Sequence, residues 1–97
     1  MKPIDEIRNL IRLHQDELRR RYKARVVGIF GSYVRGEQRA DSDLDLLAEF
    51  DSDASLFDLG GAQVMLSEIL NLKVDLIPVE DIRPELKANI ELEAVAV

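Results

Sequence analysis

The chain of 97 residues has no cysteine, so neither a disulfide nor a thiolate-held zinc ion can staple its fold. That absence fits a reducing compartment, and the sequence predicts a cytoplasmic protein. No stretch of roughly 18 apolar residues occurs, which excludes a spanning helix. The opening "MKPIDEIRNL" lacks the unbroken apolar core of an export signal, so neither export nor membrane association is expected. Positive charge is in deficit: 13 Lys and Arg stand against 19 Asp and Glu, a net charge of -6. Such a balance opposes a large sequence-independent grip on a phosphate backbone, so no direct nonspecific nucleic-acid binding is expected. Low-complexity tracts and internal repeats are also missing. With 46% apolar and 33% charged residues, the composition is that of a folded globular protein with one hydrophobic core, and residues 1–97 are expected to form a single domain.

What is present alternates between two periodicities. Ile4, Ile7, Ile11, His14 and Leu18 recur at steps of three and four, so the spacing predicts an amphipathic helix from residue 4 to about 22, with Pro3 where a helix start tolerates proline. Five positive residues in "RRRYKAR" follow; they either complement the helix C-terminus or form a phosphate- or partner-facing patch. "ARVVGIFG" reads as a buried strand closing on Gly31, and Leu44 to Phe50 as a second. Ser55 and Asp58 form a capping-box pattern before a helix reaching about Asn71. Its apolar surface is Leu56, Leu59, Val64, Leu66, Ile69 and Leu70, with Met65 also expected in the core, and Gly60 and Gly61 weaken it. "KVDLIPV" is a third strand stopped at Pro78, and "RPELKANIELEAV" a last helix entered through proline. This order predicts an α/β (α+β) protein, a small sheet packed with helices.

The candidate chemistry lies in "GSYVRGEQRADSDLDLLAEF", residues 31 to 50. An Asp-x-Asp pair means little alone, because turns and strand ends use aspartate freely. On a strand, however, residues two apart share a face, so Asp43 and Asp45 project together while Leu44 and Leu46 point into the core. Two carboxylates in one small space repel unless a cation lies between them, and hard oxygen ligands suit Mg²⁺ or Mn²⁺. Asp75, between Val74 and Leu76, repeats the pattern, and if its strand neighbours the second, three carboxylates converge. Gly31 and Ser32 follow the first strand where the backbone can approach a phosphate closely. A phosphate cradle beside carboxylates on strand ends is what transfer at a nucleotide phosphorus requires.

These residues, with "KVDLIP", resemble the nucleotidyltransferase superfamily of the DNA polymerase β type. More closely, the chain is similar to the minimal nucleotidyltransferase (MNT) antitoxins that pair with HEPN-domain toxins, over nearly its whole length. The resemblance implies a polymerase β-like fold, with Gly31 and Ser32 contacting a triphosphate and Asp43 and Asp45 binding metal. Asp75 would be the third acidic residue, a metal ligand that serves or assists the general base, and Arg35 with Gly36 would match the Arg-Gly that commonly follows Gly-Ser. It further implies ATP as substrate with Mg²⁺ or Mn²⁺ as cofactor, and transfer of AMP to a tyrosine hydroxyl of a HEPN toxin ribonuclease.

Rival readings stand beside these. Asp43 and Asp45 could serve only a turn at the start of the strand, together with Asp41 and Ser42; His14 could be core or core edge rather than catalytic; Arg39 could steer a triphosphate or merely solvate its loop. The protein could be a non-catalytic nucleotide-binding antitoxin that inhibits by contact, an aminoglycoside-type small-molecule nucleotidyltransferase, or an enzyme extending RNA ends. The last two are disfavoured by the absence of a substrate domain and by the net charge.

Overall fold

A computed structural model describes residues 2–97. Helix α1 (Ile4–Tyr22) buries Ile7, Ile11 and Leu18 along one stripe; Asp5 and Glu6 lie in its first turn and Arg19, Arg20 and Arg21 in its last, each set complementing the helix dipole. Lys23 ends it in the left-handed conformation (φ 59°), donating its N–H back to the carbonyls of Leu18 and Arg19. There follow β1 (Ala24–Phe30), α2 (Ser32–Arg35), β2 (Leu44–Phe50), α3 (Leu56–Leu70), β3 (Val74–Pro78), a 3-10 turn at Val79–Asp81, α4 (Pro84–Glu93) and β4 (Val95–Ala96). The capping box is present, Ser55 and Asp58 each bonding the other's backbone N–H. No helix among the described residues is long and apolar enough to cross a membrane.

The sheet has the order β3-β2-β1-β4. It is mixed: β2 runs parallel to β3 and antiparallel to β1, and β4 is antiparallel to β1. Helices α1 and α3 pack on each other and on the sheet, enclosing Ile7, Ile11, Leu18, Val26, Ile29, Leu44, Leu46, Leu66 and Leu70. The fourth strand differs from expectation, since the sequence pattern runs the last helix on to Val95, whereas α4 ends at Glu93. Two residues are too few to show alternation, and what draws Val95 and Ala96 out of the helix is pairing with Ile29 and Gly28. Leu56 and Val64, expected to pack, are instead 84% and 58% exposed, as is Phe57 at 91%. Leu66, Leu70 and Met65 are buried as expected.

Glutamines complete the sheet where strands do not. Because β4 covers only Gly28 and Ile29, the backbone of Val26 lacks a strand partner on that side. The Gln15 amide replaces one: its Nε2 donates to the Val26 carbonyl at 2.7 Å and its Oε1 accepts from the Val26 N–H at 3.1 Å. On the opposite edge, Leu76 N–H donates to Gln63 Oε1 of α3 at 2.9 Å. Each glutamine satisfies an edge group that would otherwise be buried unpaired or left open to another strand.

Two predictions follow from this packing. Gln15→Ala strands two backbone groups and should cost about 1–3 kcal/mol, a fall in Tm of roughly 4 °C or more by circular dichroism; an unchanged Tm would show that water replaces the amide without loss. The adjacent glycines of α3 should respond oppositely. A Cβ on Gly60 meets open space, whereas one on Gly61 would overlap the Tyr22 ring. Gly60→Ala should therefore stabilise by about 0.5–1 kcal/mol and Gly61→Ala should destabilise, in the same thermal melts.

Candidate active site

Strand β2 begins at Leu44, whose side chain is fully buried, as is that of Leu46. This anchoring turns Asp45 to the other face, with Asp43 immediately before the strand on the same side. The parallel register sets Leu44 opposite Val74, Asp45 opposite Asp75 and Leu46 opposite Leu76. Asp45 and Asp75 are therefore direct neighbours on strands about 4.8 Å apart. On the other side of β2, Asp45 is paired with Phe30, the last residue of β1, which delivers Gly31 to the same spot.

Gly31 has φ 80° and ψ -152°, a conformation that L side chains rarely adopt. A Cβ there would overlap the Asp45 carboxylate, so glycine is what lets the backbone lie against this carboxyl group. Ser32 opens α2, and its carbonyl accepts from the Glu37 N–H at 2.9 Å. The carbonyl of Gly31 accepts from Val34 and Arg35, while the amides of Ser32 and Tyr33, at the start of the turn, have no intrahelical acceptor. Gly36 closes the turn in the left-handed region (φ 71°).

The electrostatics centre on Asp45. Burial, then the negative charges of Asp75 and Asp43, lift its pKa from the ordinary 3.8 to about 6; Arg35 opposes the rise and Glu93 adds to it. Asp43 is partly compensated by Lys73, whose Nζ is 3.7 Å from its Oδ1. Arg35, at the end of α2, is paired twice, with Glu37 at 3.2 Å and with Glu93 at 2.5 Å.

The structure thus brings Asp43, Asp75 and Arg35 within electrostatic reach of Asp45, with Gly31 against the Asp45 carboxylate and Ser32 adjoining Gly31. The side chains do not form a closed ligand set: among the described residues no three His, Cys, Asp or Glu groups are placed to hold a metal ion as they stand. His14 lies outside the cluster, its Nδ1 donating to the Leu10 carbonyl one turn earlier at 2.8 Å. In the loop, Arg39 donates its backbone N–H to Ser42 Oγ at 2.7 Å. Of the basic run at the end of α1, Arg21 bonds Glu17 and Lys23 bonds Asp53, each at 3.0 Å. Sequence reasoning missed Lys73 and Glu93. Lys73 directly precedes the strand that carries Asp75, a signal that was available; Glu93 is reached only through the fold.

Facing aspartates on parallel strands suit a cation, and the glycine turn beside them, leading into a short helix, offers backbone amides to a nucleotide's phosphates. Residues 11–97 match the family described as "Nucleotidyltransferase domain", and the chain belongs to it. Protein adenylyltransferase MntA of Thermococcus cleftensis is 36% identical over 97 residues, covering all of this chain and 98% of its own length. A solved structure provisionally named a minimal nucleotidyltransferase superposes with a TM-score of 0.74 at 32% identity, over 94% of this chain and 95% of that one. A toxin–antitoxin structure solved with AMP-PNP shares the fold at 22% identity and a TM-score of 0.69, over 91% of this chain and 69% of that chain. The protein is a nucleotidyltransferase of the minimal type.

A carboxyl whose folded pKa is raised to about 6 binds its proton more tightly in the fold than in the unfolded chain. Its contribution to stability is therefore fully present below about pH 4 and lost as pH rises through 6. In metal-free buffer, Asp45→Asn should accordingly be more stable than the wild type at pH 7 and lose this advantage towards pH 4. Paired thermal melts across that range measure the difference, and a constant offset would show that Asp45 does not titrate in this way.

Proposed function

We propose that the protein transfers AMP from ATP to a hydroxyl of a partner protein, a tyrosine of a HEPN-domain toxin ribonuclease, and so acts as the antitoxin of that pair. The observation that carries this reading is the register of Asp45 against Asp75 beside Gly31. Asp43, Asp45 and Asp75 offer only hard oxygen donors, and Asp45 suffers like-charge repulsion that a divalent cation would relieve; the donor set fits Mg²⁺ or Mn²⁺, which these three aspartates would hold. When bound, such an ion neutralises charge on the triphosphate. Gly31 and Ser32 receive phosphate oxygens on backbone amides, and Arg35 supplies a mobile cation beside them. Asp75, exposed at the edge strand, accepts the proton of the attacking hydroxyl. The hydroxyl oxygen then bonds to the α-phosphorus, the bond from that phosphorus to the bridging oxygen breaks, and pyrophosphate leaves.

A cavity of about 400 Å³, lined by residues that include Phe50, Leu59, Pro78 and Asp81, lies at the far ends of β2 and β3 from Asp43, Asp45 and Asp75. The relative named a protein adenylyltransferase and the toxin–antitoxin fold match agree with a protein substrate.

Labelled ATP, Mg²⁺ and the HEPN partner, followed by mass analysis of both chains, test the reading. The toxin should gain the mass of AMP on tyrosine, and Asp43→Asn or Asp45→Asn should abolish the gain while leaving the fold intact. ATP with Mg²⁺ should also stabilise the protein, by about 2.7 kcal/mol at a hundredfold excess over its Kd, and far less with a chelator. If the complex silences the toxin with all three aspartates replaced, neutralisation is by contact instead.

A further inference from the structure

Arg35 is the cation that acts on Asp45, and it lies four residues beyond Gly31, where an incoming triphosphate would need positive charge. Both of its partners are acidic. Glu37 holds Nε from the same loop, whereas Glu93 reaches Nη1 from the last turn of α4, 58 residues away in the chain. The Glu93 side chain is 31% exposed and that of Arg35 47% exposed, so the bond is open to competition from an anion. Glu93 also places a further negative charge within reach of Asp45, in the region that a polyanion must enter. Helix α4 itself is weakly held: eight of its ten residues are exposed and none is buried, and the ion pair and the two-residue pairing of β4 that follows it tie it to the rest of the fold.

Resting on the nucleotide-binding reading above, we infer that Glu93 is a positioning residue that competes with ATP. It holds Arg35 in the nucleotide-free protein, is displaced when the triphosphate takes the guanidinium, and thereby sets ATP affinity and loosens α4 on binding. The exchange is one of charge-assisted partners: the guanidinium leaves one carboxylate oxygen for a phosphate oxygen, and no covalent bond changes.

Calorimetric titration of ATP into the wild type, Glu93→Gln, Arg35→Gln and the double variant tests this, with hydrogen exchange of the α4 amides as a second readout. Glu93→Gln should bind ATP up to about fivefold more tightly, the size expected from releasing a partly exposed ion pair, and Arg35→Gln more weakly. In the Arg35→Gln background, removing Glu93 should give no gain. Exchange in α4 should quicken when ATP binds the wild type and already be fast in Glu93→Gln. Glu93→Asp, with a shorter reach, should fall between, and serves if Glu93→Gln fails to fold. Unchanged or weaker ATP binding by Glu93→Gln overturns the inference, as does a gain that persists without Arg35, which would mean simple repulsion. If neither the wild type nor any variant binds ATP, the nucleotide-binding reading has itself failed and the inference with it; wild-type binding that ignores Glu93 refutes the inference alone.

Discussion

The parallel pairing of β2 with β3 places the Asp45 and Asp75 carboxylates side by side, and the site is organised around that repulsion. Neither side chain can escape by a change of register: a slip of one residue would turn Leu44 and Leu46 out of the core and drive the aspartates into it. The apolar contacts of β2, the central acidic strand, therefore hold like charges together at a half-buried spot. Gly31 tightens the arrangement from the other side, because its lack of a side chain lets the backbone press against Asp45. Burial first, and then the charges of Asp75 and Asp43, raise the pKa of Asp45, and the unrelieved negative charge makes the site receptive to cations.

Rigidity and looseness are unevenly distributed around this site. Helices α1 and α3 bury their apolar stripes in one core, and each lends a glutamine to an edge of the sheet, Gln15 at Val26 of β1 and Gln63 at Leu76, next to Asp75. The C-terminal segment is different. Helix α4 buries no residue fully, and its connection to the site runs through Glu93 and Arg35. A fixed acidic cluster beside a lightly held helix suits a protein that must grip a nucleotide while admitting a large partner, since the groups that need accurate placement are on the sheet and those that must yield are not.

The elements were legible in the sequence wherever their cause is local. The steps of Ile7, Ile11 and Leu18, the Ser55 and Asp58 capping box, the β-branched run before Gly31 and the prolines at residues 3, 78 and 84 each act within a few residues, and the structure has helices and strands where they predict them. The alternation Asp43-Leu44-Asp45-Leu46 fixed which face the carboxylates take, because a strand has a period of two whatever lies beside it. Tertiary structure decided the rest. That β3 neighbours β2, that Val95 and Ala96 pair with β1, that Gln15 and Gln63 close the edges, and that Leu56, Phe57 and Val64 stay exposed all depend on which segments meet. The same is true of Arg35: its position after Gly-Ser marks it as a phosphate-binding candidate, yet only the return of α4 towards α2 gives it Glu93 as a partner, and nothing in the local periodicity of either segment encodes a contact between residues 58 apart in the chain.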